Sequence, residues 1–333
     1  MSSAPSADEI ARDATWLAQA LDPAEGAVRL VAMDADSYRA ASFLDDRMLQ
    51  ASVDAQIVPW TLVEEAMAGA LRSDARWIFH IGHVGSTLVS RLLGEIEGVL
   101  AVREPRLLRD LALTPADARD RYSAPVAKLM SRTFAESEVA CVKATSFAGE
   151  IADTLVPPGG RALFMYAAPR NYIASILAGE NSTEEARLLA GSRSQRMNAR
   201  GIYLPAQDDV SLAAAAWACE MTALEQVAER SVDRDILWAD FDAMLGDIER
   251  ALGRVAGFFG FETVRVPQIT AGPLMSRYSK AMEYEYSPNL RRELIGEASE
   301  RFAPGIKEAL AMLERAAEKS PLLARALARA REG

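Results

Sequence analysis

The chain has 333 residues, half of them hydrophobic and a quarter charged, which is ample material for a sizeable core. With 47 acidic against 37 basic residues the formal net charge is −10, which argues against a general nucleic-acid binder, because such proteins need a basic face for phosphates. Two distant cysteines, Cys141 and Cys219, and two histidines, His80 and His83, supply neither a disulfide framework nor a zinc ligand set, so no metal is expected.

Residues 1–13 show no basic stretch followed by an apolar one, so no signal peptide is expected there. No run approaches the roughly 18 apolar residues of a membrane span, and the Ala-rich stretch 211–219 is short and flanked by charge. A cytoplasmic protein is the expectation, and the pattern specifies no oligomeric state. Residues 1–74 read as an extension packed on a main body, with a strand at 27–33, a polar stretch at 42–46 and a helical pattern at 61–71. The main domain, 75–333, starts with an apolar run at 77–81 that ends in glycines. Leu88, Val89, Leu92, Leu93 and Ile96 then fall on one helical stripe. Further strands are predicted at 99–102, 139–142, 161–166 and 235–238, with helical patterns between them and a helical tail over 288–333. Strands alternating with helices predict an α/β fold: a mostly parallel sheet flanked by helices, with helical additions at the N- and C-terminal ends.

The loop Gly82-His83-Val84-Gly85-Ser86-Thr87 carries the sharpest chemical signal. A glycine loop between a strand and a helix directs backbone N–H groups outward, and the partial positive charge of the helix start favours an anion there. The hydroxyls of Ser86 and Thr87 add donors. The same residues also suit a plain strand-to-helix turn that needs small side chains for close packing. The triphosphatase form, Gly-x-x-x-x-Gly-Lys-Ser/Thr, is not met, since His80 stands at the first glycine and Ser86 at the lysine. An ATP-dependent kinase of the usual kind is therefore disfavoured.

From His80 to Leu93 the chain resembles the 5′-phosphosulfate loop of the sulfotransferase family, which grips the donor 3′-phosphoadenosine-5′-phosphosulfate. The family's basic loop residue, lysine or arginine, falls on His83, a departure from the pattern. Glu104, in Val102-Arg103-Glu104-Pro105-Arg106, sits where tyrosylprotein and related bacterial sulfotransferases place a glutamate general base. Lys143 resembles the lysine that contacts the reacting sulfuryl group. The stretch 164–175 resembles the segment that binds the donor's 3′-phosphate: Ser175 matches, the arginine position is Ala167, and Arg170 three residues on is a candidate substitute. Residues 236–242 and 248–261 resemble the late strand and helix, and Arg277, Ser279 and Lys280 the closing loop over the nucleotide.

The resemblance covers about 76–290. It implies a P-loop-type sheet and sulfuryl transfer to a hydroxyl or amine of an unidentified acceptor. Glu104, Lys143 and His83 would be catalytic. Gly82 through Thr87, Arg170, Ser175, Arg277, Ser279 and Lys280 would hold the donor, without a metal. Without the resemblance these residues have plainer readings. Glu104 would be a solvated carboxylate among Arg103, Arg106 and Arg109, His80 a satisfied core histidine, Ser175 a helix residue, and Arg277 and Lys280 surface cations. A catalytically inactive nucleotide- or partner-binding protein of the same fold stays open as the alternative, and an ATP-dependent P-loop kinase behind it.

Overall fold

The computed structural model describes residues 4–50, 53–69, 71–276 and 288–332. Its centre is a sheet of five strands, β4 (Arg76–His80), β5 (Val99–Arg103), β6 (Val139–Lys143), β7 (Arg161–Tyr166) and β8 (Asp235–Asp240). They lie in the order β5-β6-β4-β7-β8, every neighbouring pair parallel. Four of the five are buried after their first residue, because helices cover both faces, and this is why they read as continuous apolar runs rather than alternating ones. β8 is the half-buried edge, where the Arg329 guanidinium lies 4.2 Å from the Trp238 ring centroid. The α/β expectation holds, with each predicted strand present to within one or two residues.

Order in the sheet decides where a ligand can sit. From β4 the chain crosses to β5 on one side, and after β6 it crosses to β7 on the other, so the winding reverses at β4. In open parallel sheets the crevice outside the carboxyl ends at such a reversal is the usual binding place.

The N-terminal addition was expected to be helical with one strand. It holds instead a three-stranded antiparallel sheet of β1 (Trp16–Asp22), β2 (Ala27–Ala32) and β3 (Ala55–Pro59), with short helices around it. β1 hid in the sequence because five consecutive residues are buried, which removes the period of two that marks a strand. The N-terminal addition is fastened to the main body by buried arginines. Arg132 donates to the carbonyl oxygens of Ile10 and Trp16, and Arg103 to those of Tyr38, Arg39 (3.0 Å) and Ala41 (2.8 Å). One contiguous apolar core runs from Ile10 through both sheets to Leu327.

The Ala-rich stretch belongs to a 22-residue helix, Asp209–Arg230, capped by Asp208, whose carboxylate accepts from the Ser211 N–H at 2.8 Å. Small alanines let neighbours approach closely, and Trp217 fills the space they leave; most of this helix is buried. The helices Ala303–Ala317 and Pro321–Glu332 pack on it, and the buried Glu225 accepts from Arg329. Among the described residues no helix is long and apolar enough to cross a membrane.

Candidate functional site

Three strand ends meet at the carboxyl edge of the sheet. β4 runs into Ile81, Gly82 (φ +81°), His83 (φ +53°), Val84 and Gly85 (φ +61°), and the helix Ser86–Leu93 starts directly after. Gly85 is required twice over: its backbone is left-handed, and a Cβ there would lie 1.8 Å from the Phe241 ring. Phe241 arrives from the end of β8, where Asp240 caps the next helix by accepting the N–H groups of Asp242 (2.8 Å) and Ala243 (3.0 Å). Burial pushes the Asp240 carboxyl above the usual aspartate range, against the pull of those N–H bonds.

The loop is braced from behind. The Gly82 N–H donates to His80 Nδ1 at 3.0 Å, and His80 Nε2 lies 3.0 Å from the Ala144 carbonyl oxygen, so Nε2 carries the proton and ties β4 to β6. The Tyr172 hydroxyl donates to the Ile81 carbonyl at 3.1 Å, and Ser146 stands beside Gly82. Among the described residues, no backbone or side-chain acceptor takes the N–H groups of Val84, Gly85, Ser86 or Thr87. These are the donors that a helix start leaves open for an anion. The Ser86 and Thr87 side chains are nearly buried beneath them.

Glu104 follows β5 directly and has φ +52°; with His83 it is one of two non-glycine residues at positive φ among those described. Holding a residue with a Cβ there costs about 1–2 kcal/mol. Register puts Arg103 opposite Lys143, and the Glu104 N–H donates to the Lys143 carbonyl at 2.7 Å. The Lys143 ammonium then donates to Glu104 Oε1, with His80 Nε2 3.8 Å from the same oxygen. Lys143 is 1% exposed and the Glu104 side chain 15%. The result is an ion pair with a closed cationic end and an open carboxylate end. Arg103, beside Glu104 in sequence, is not part of a solvated face: burial and the nearby Arg91 push its guanidinium down to about 10.

Other predicted site residues stand apart from this pair. His83 Nε2 lies 3.6 Å from Glu185 Oε2 on the helix Glu180–Leu188. Arg170 is exposed in the first turn of the helix Pro169–Leu177, after β7, and the Ser175 hydroxyl in that helix donates to the Tyr172 carbonyl at 2.9 Å. Ala167 is fully buried, its carbonyl taking the Trp217 indole N–H at 2.9 Å. Arg277, Ser279 and Lys280 lie outside the described residues. Among the described residues no group of three or more His, Cys, Asp or Glu converges as a metal-ligand set.

Sequence reasoning missed the segment that faces Glu104 from the N-terminal addition. The Leu44 N–H donates to the Arg103 carbonyl at 2.8 Å, which brings Phe43, Asp45 and Arg47 over the end of β5. Arg47 Nη2 lies 3.8 Å from Glu104 Oε2, and its guanidinium stacks 3.4 Å from the Phe43 ring centroid. The polar character of 42–46 was the one signal in the sequence, and it names no partner.

Neither a family model nor a curated protein matches the sequence. Solved structures do show a likeness. The chain is similar to the sulfotransferase domain from the curacin biosynthetic pathway at 12% identity and TM-score 0.42, with 74% of this chain and 99% of that one covered. It is similar to the sulfotransferase domain of the Synechococcus PCC 7002 olefin synthase at 13% identity and TM-score 0.41, over 71% and 96%. A third is mouse sulfotransferase SULT7A1 complexed with PAP, at 11% identity and TM-score 0.40, over 78% and 90%. At such scores the likeness carries no argument about chemistry, which has to come from the residues of the site.

Proposed function

We propose that this protein transfers a sulfuryl group from 3′-phosphoadenosine-5′-phosphosulfate to a hydroxyl or amine of an acceptor. One observation carries the reading: a glycine loop with open N–H donors and a Glu104–Lys143 pair occupy the same carboxyl edge, at the reversal of a parallel sheet. Sulfuryl transfer forms a bond from the acceptor oxygen or nitrogen to sulfur and breaks the bond from sulfur to the 5′-phosphate oxygen. The acceptor's proton goes to Glu104, and the electron pair leaves with the phosphate. The protein's work is positioning and charge stabilisation, as in phosphoryl transfer. The N–H groups of 84–87 and the hydroxyls of Ser86 and Thr87 suit the 5′-phosphate, and His83 the charge that develops on the transferred group, with the buried Lys143 adding positive charge from behind Glu104. Arg170 and Ser175, on the helix after β7, are the candidates for the 3′-phosphate. A general base in this position typically contributes about 10²–10⁴-fold.

Calorimetric titration with 3′-phosphoadenosine-5′-phosphate, with ATP and Mg²⁺ as control, tests the donor. Micromolar binding of the bisphosphate that weakens at least tenfold in Ser86→Ala is expected; no binding, or preference for ATP, would refute it. A second reading, nucleotide binding without chemistry, is favoured by His83, an imidazole facing Glu185 at 3.6 Å where the family pattern has lysine or arginine. Tight bisphosphate binding with no cleavage of the sulfated donor would select that reading.

A further inference from the structure

We propose that residues 43–47 of the N-terminal addition form one wall of the reaction site, with Arg47 as a positioning residue for the proton-accepting oxygen of Glu104. The inference rests on the sulfuryl-transfer reading for its chemistry, and on the contacts of this segment for its geometry.

The Glu104 carboxylate is engaged unequally. Oε1 takes the Lys143 ammonium and has His80 nearby, whereas Oε2 faces Arg47 across 3.8 Å. That separation is too long for a hydrogen bond and short enough for a charge contact, screened in part because the Arg47 side chain is 53% exposed. Oε2 therefore keeps lone pairs for an incoming hydroxyl while its direction is held from both ends. Arg47 is itself fixed before any ligand arrives. Asp45 grips it bidentately, Nε to Oδ1 at 2.8 Å and Nη2 to Oδ2 at 2.5 Å, and also accepts the Arg47 backbone N–H at 3.0 Å. Burial raises the Asp45 carboxyl, but its hydrogen bonds to Arg47 outweigh this and hold it below the usual range. The Phe43 ring is shared: Arg47 lies 3.4 Å from its centroid and Lys143 Nζ 5.6 Å, so one ring contacts both cations that flank Glu104.

A surface clamp with no part in the reaction would use the Asp45–Arg47 pair alone. It would have no need of the Phe43 stack or of the approach to Glu104. The arrangement is also non-local, since Arg47 and Glu104 come together through the Leu44–Arg103 backbone bond. An acceptor hydroxyl donating to Oε2 would lie beside the Arg47 guanidinium, so this residue also meets whatever oxygen flanks that hydroxyl.

The test uses the full chain labelled with ¹³C at the glutamate side-chain carboxyl carbon, the Glu104 resonance being assigned through Glu104→Gln. Arg47→Met keeps the stem over Phe43 and removes the charge; Arg47→Lys keeps the charge. In Arg47→Met the Glu104 resonance is expected to move by more than its line width, while bisphosphate binding stays at the wild-type value and the chain stays folded, its melting temperature lowered only by loss of the Asp45 pair. Cleavage of the sulfated donor, with water or a phenol as acceptor, should fall about tenfold or more, and Arg47→Lys should restore part of both. An unmoved resonance overturns the proposal, and so does cleavage at the wild-type rate. Failure of the wild-type protein to bind the bisphosphate would instead overturn the sulfuryl-transfer reading, and the resonance would still report the contact.

Discussion

Replacing Glu104 with Gln removes a charge from a pair whose other member is sealed from water. Lys143 is 1% exposed, and its ammonium donates to the carboxylate that the substitution neutralises. Removing one partner of a buried pair typically costs about 3–5 kcal/mol, because the remaining charge has been desolvated without its counter-charge. Gln keeps an oxygen at the same place and the Glu104 end is 15% exposed, so the expected loss is at the low end, about 3 kcal/mol. Lys143→Met leaves a carboxylate that can take water at its exposed end and still faces Arg47, so its loss should be smaller, about 1–2 kcal/mol. The double variant exchanges the pair for neutral groups of similar volume, a replacement that is often close to neutral. It should lose no more than about 1 kcal/mol relative to wild type, a coupling of about 3–5 kcal/mol between the two sites. Urea unfolding of the four proteins at one pH measures this as midpoint shifts at constant slope. A Glu104→Gln protein as stable as wild type, or a double variant whose loss equals the sum of the singles, would show that the pair is neither buried nor coupled. In the same proteins Glu104→Gln should abolish transfer and leave bisphosphate affinity nearly unchanged.

Gly85→Ala should destabilise by about 2–5 kcal/mol, combining about 1–2 for the left-handed backbone with about 1–3 for the collision with Phe241. Phe241→Leu in the same chain should recover part of the loss; a melting temperature unchanged in the single variant would refute the close approach. Asp240 gives a pH-dependent expectation. Its folded-state carboxyl is raised, mainly by burial, so its contribution favours folding below the unfolded value and is lost as pH rises through the raised one. Asn at 240 can still accept the two cap N–H bonds but does not ionise. Asp240→Asn should therefore gain stability relative to wild type as pH climbs from the ordinary aspartate range to neutrality, and a gap that closes on that climb would contradict the burial argument.

Much of the central sheet was legible because its signals are local. A strand buried on both faces must be a short apolar run, and four of the five runs from 76 to 240 are such strands, with β8 the half-buried edge. The glycines at 82 and 85 and the hydroxyls at 86 and 87 announce a strand-to-helix loop, and that loop is where they lie. The residue types of the ion pair were legible too, since Glu104 and Lys143 each follow or end a predicted strand. Their contact was not, because it depends on β5 and β6 being neighbours in register. Other features needed the tertiary structure outright. The apolar run of β1 lacks any alternation, and although the Ala-rich stretch reads as helical with Trp217 and Cys219 in the core, the helices that close on it are fixed only by the tertiary packing. Arg103 reads as one of a row of surface cations until its guanidinium is seen closing on three carbonyls of the N-terminal addition. Phe43 and Arg47 belong to a segment about sixty positions before Glu104, and nothing in their own neighbourhood specifies the strand end they cover. Local periodicity and turn chemistry act over a few residues and are written into the sequence directly. Which strand lies beside which, and so which charges meet, is decided by burial of the whole core at once.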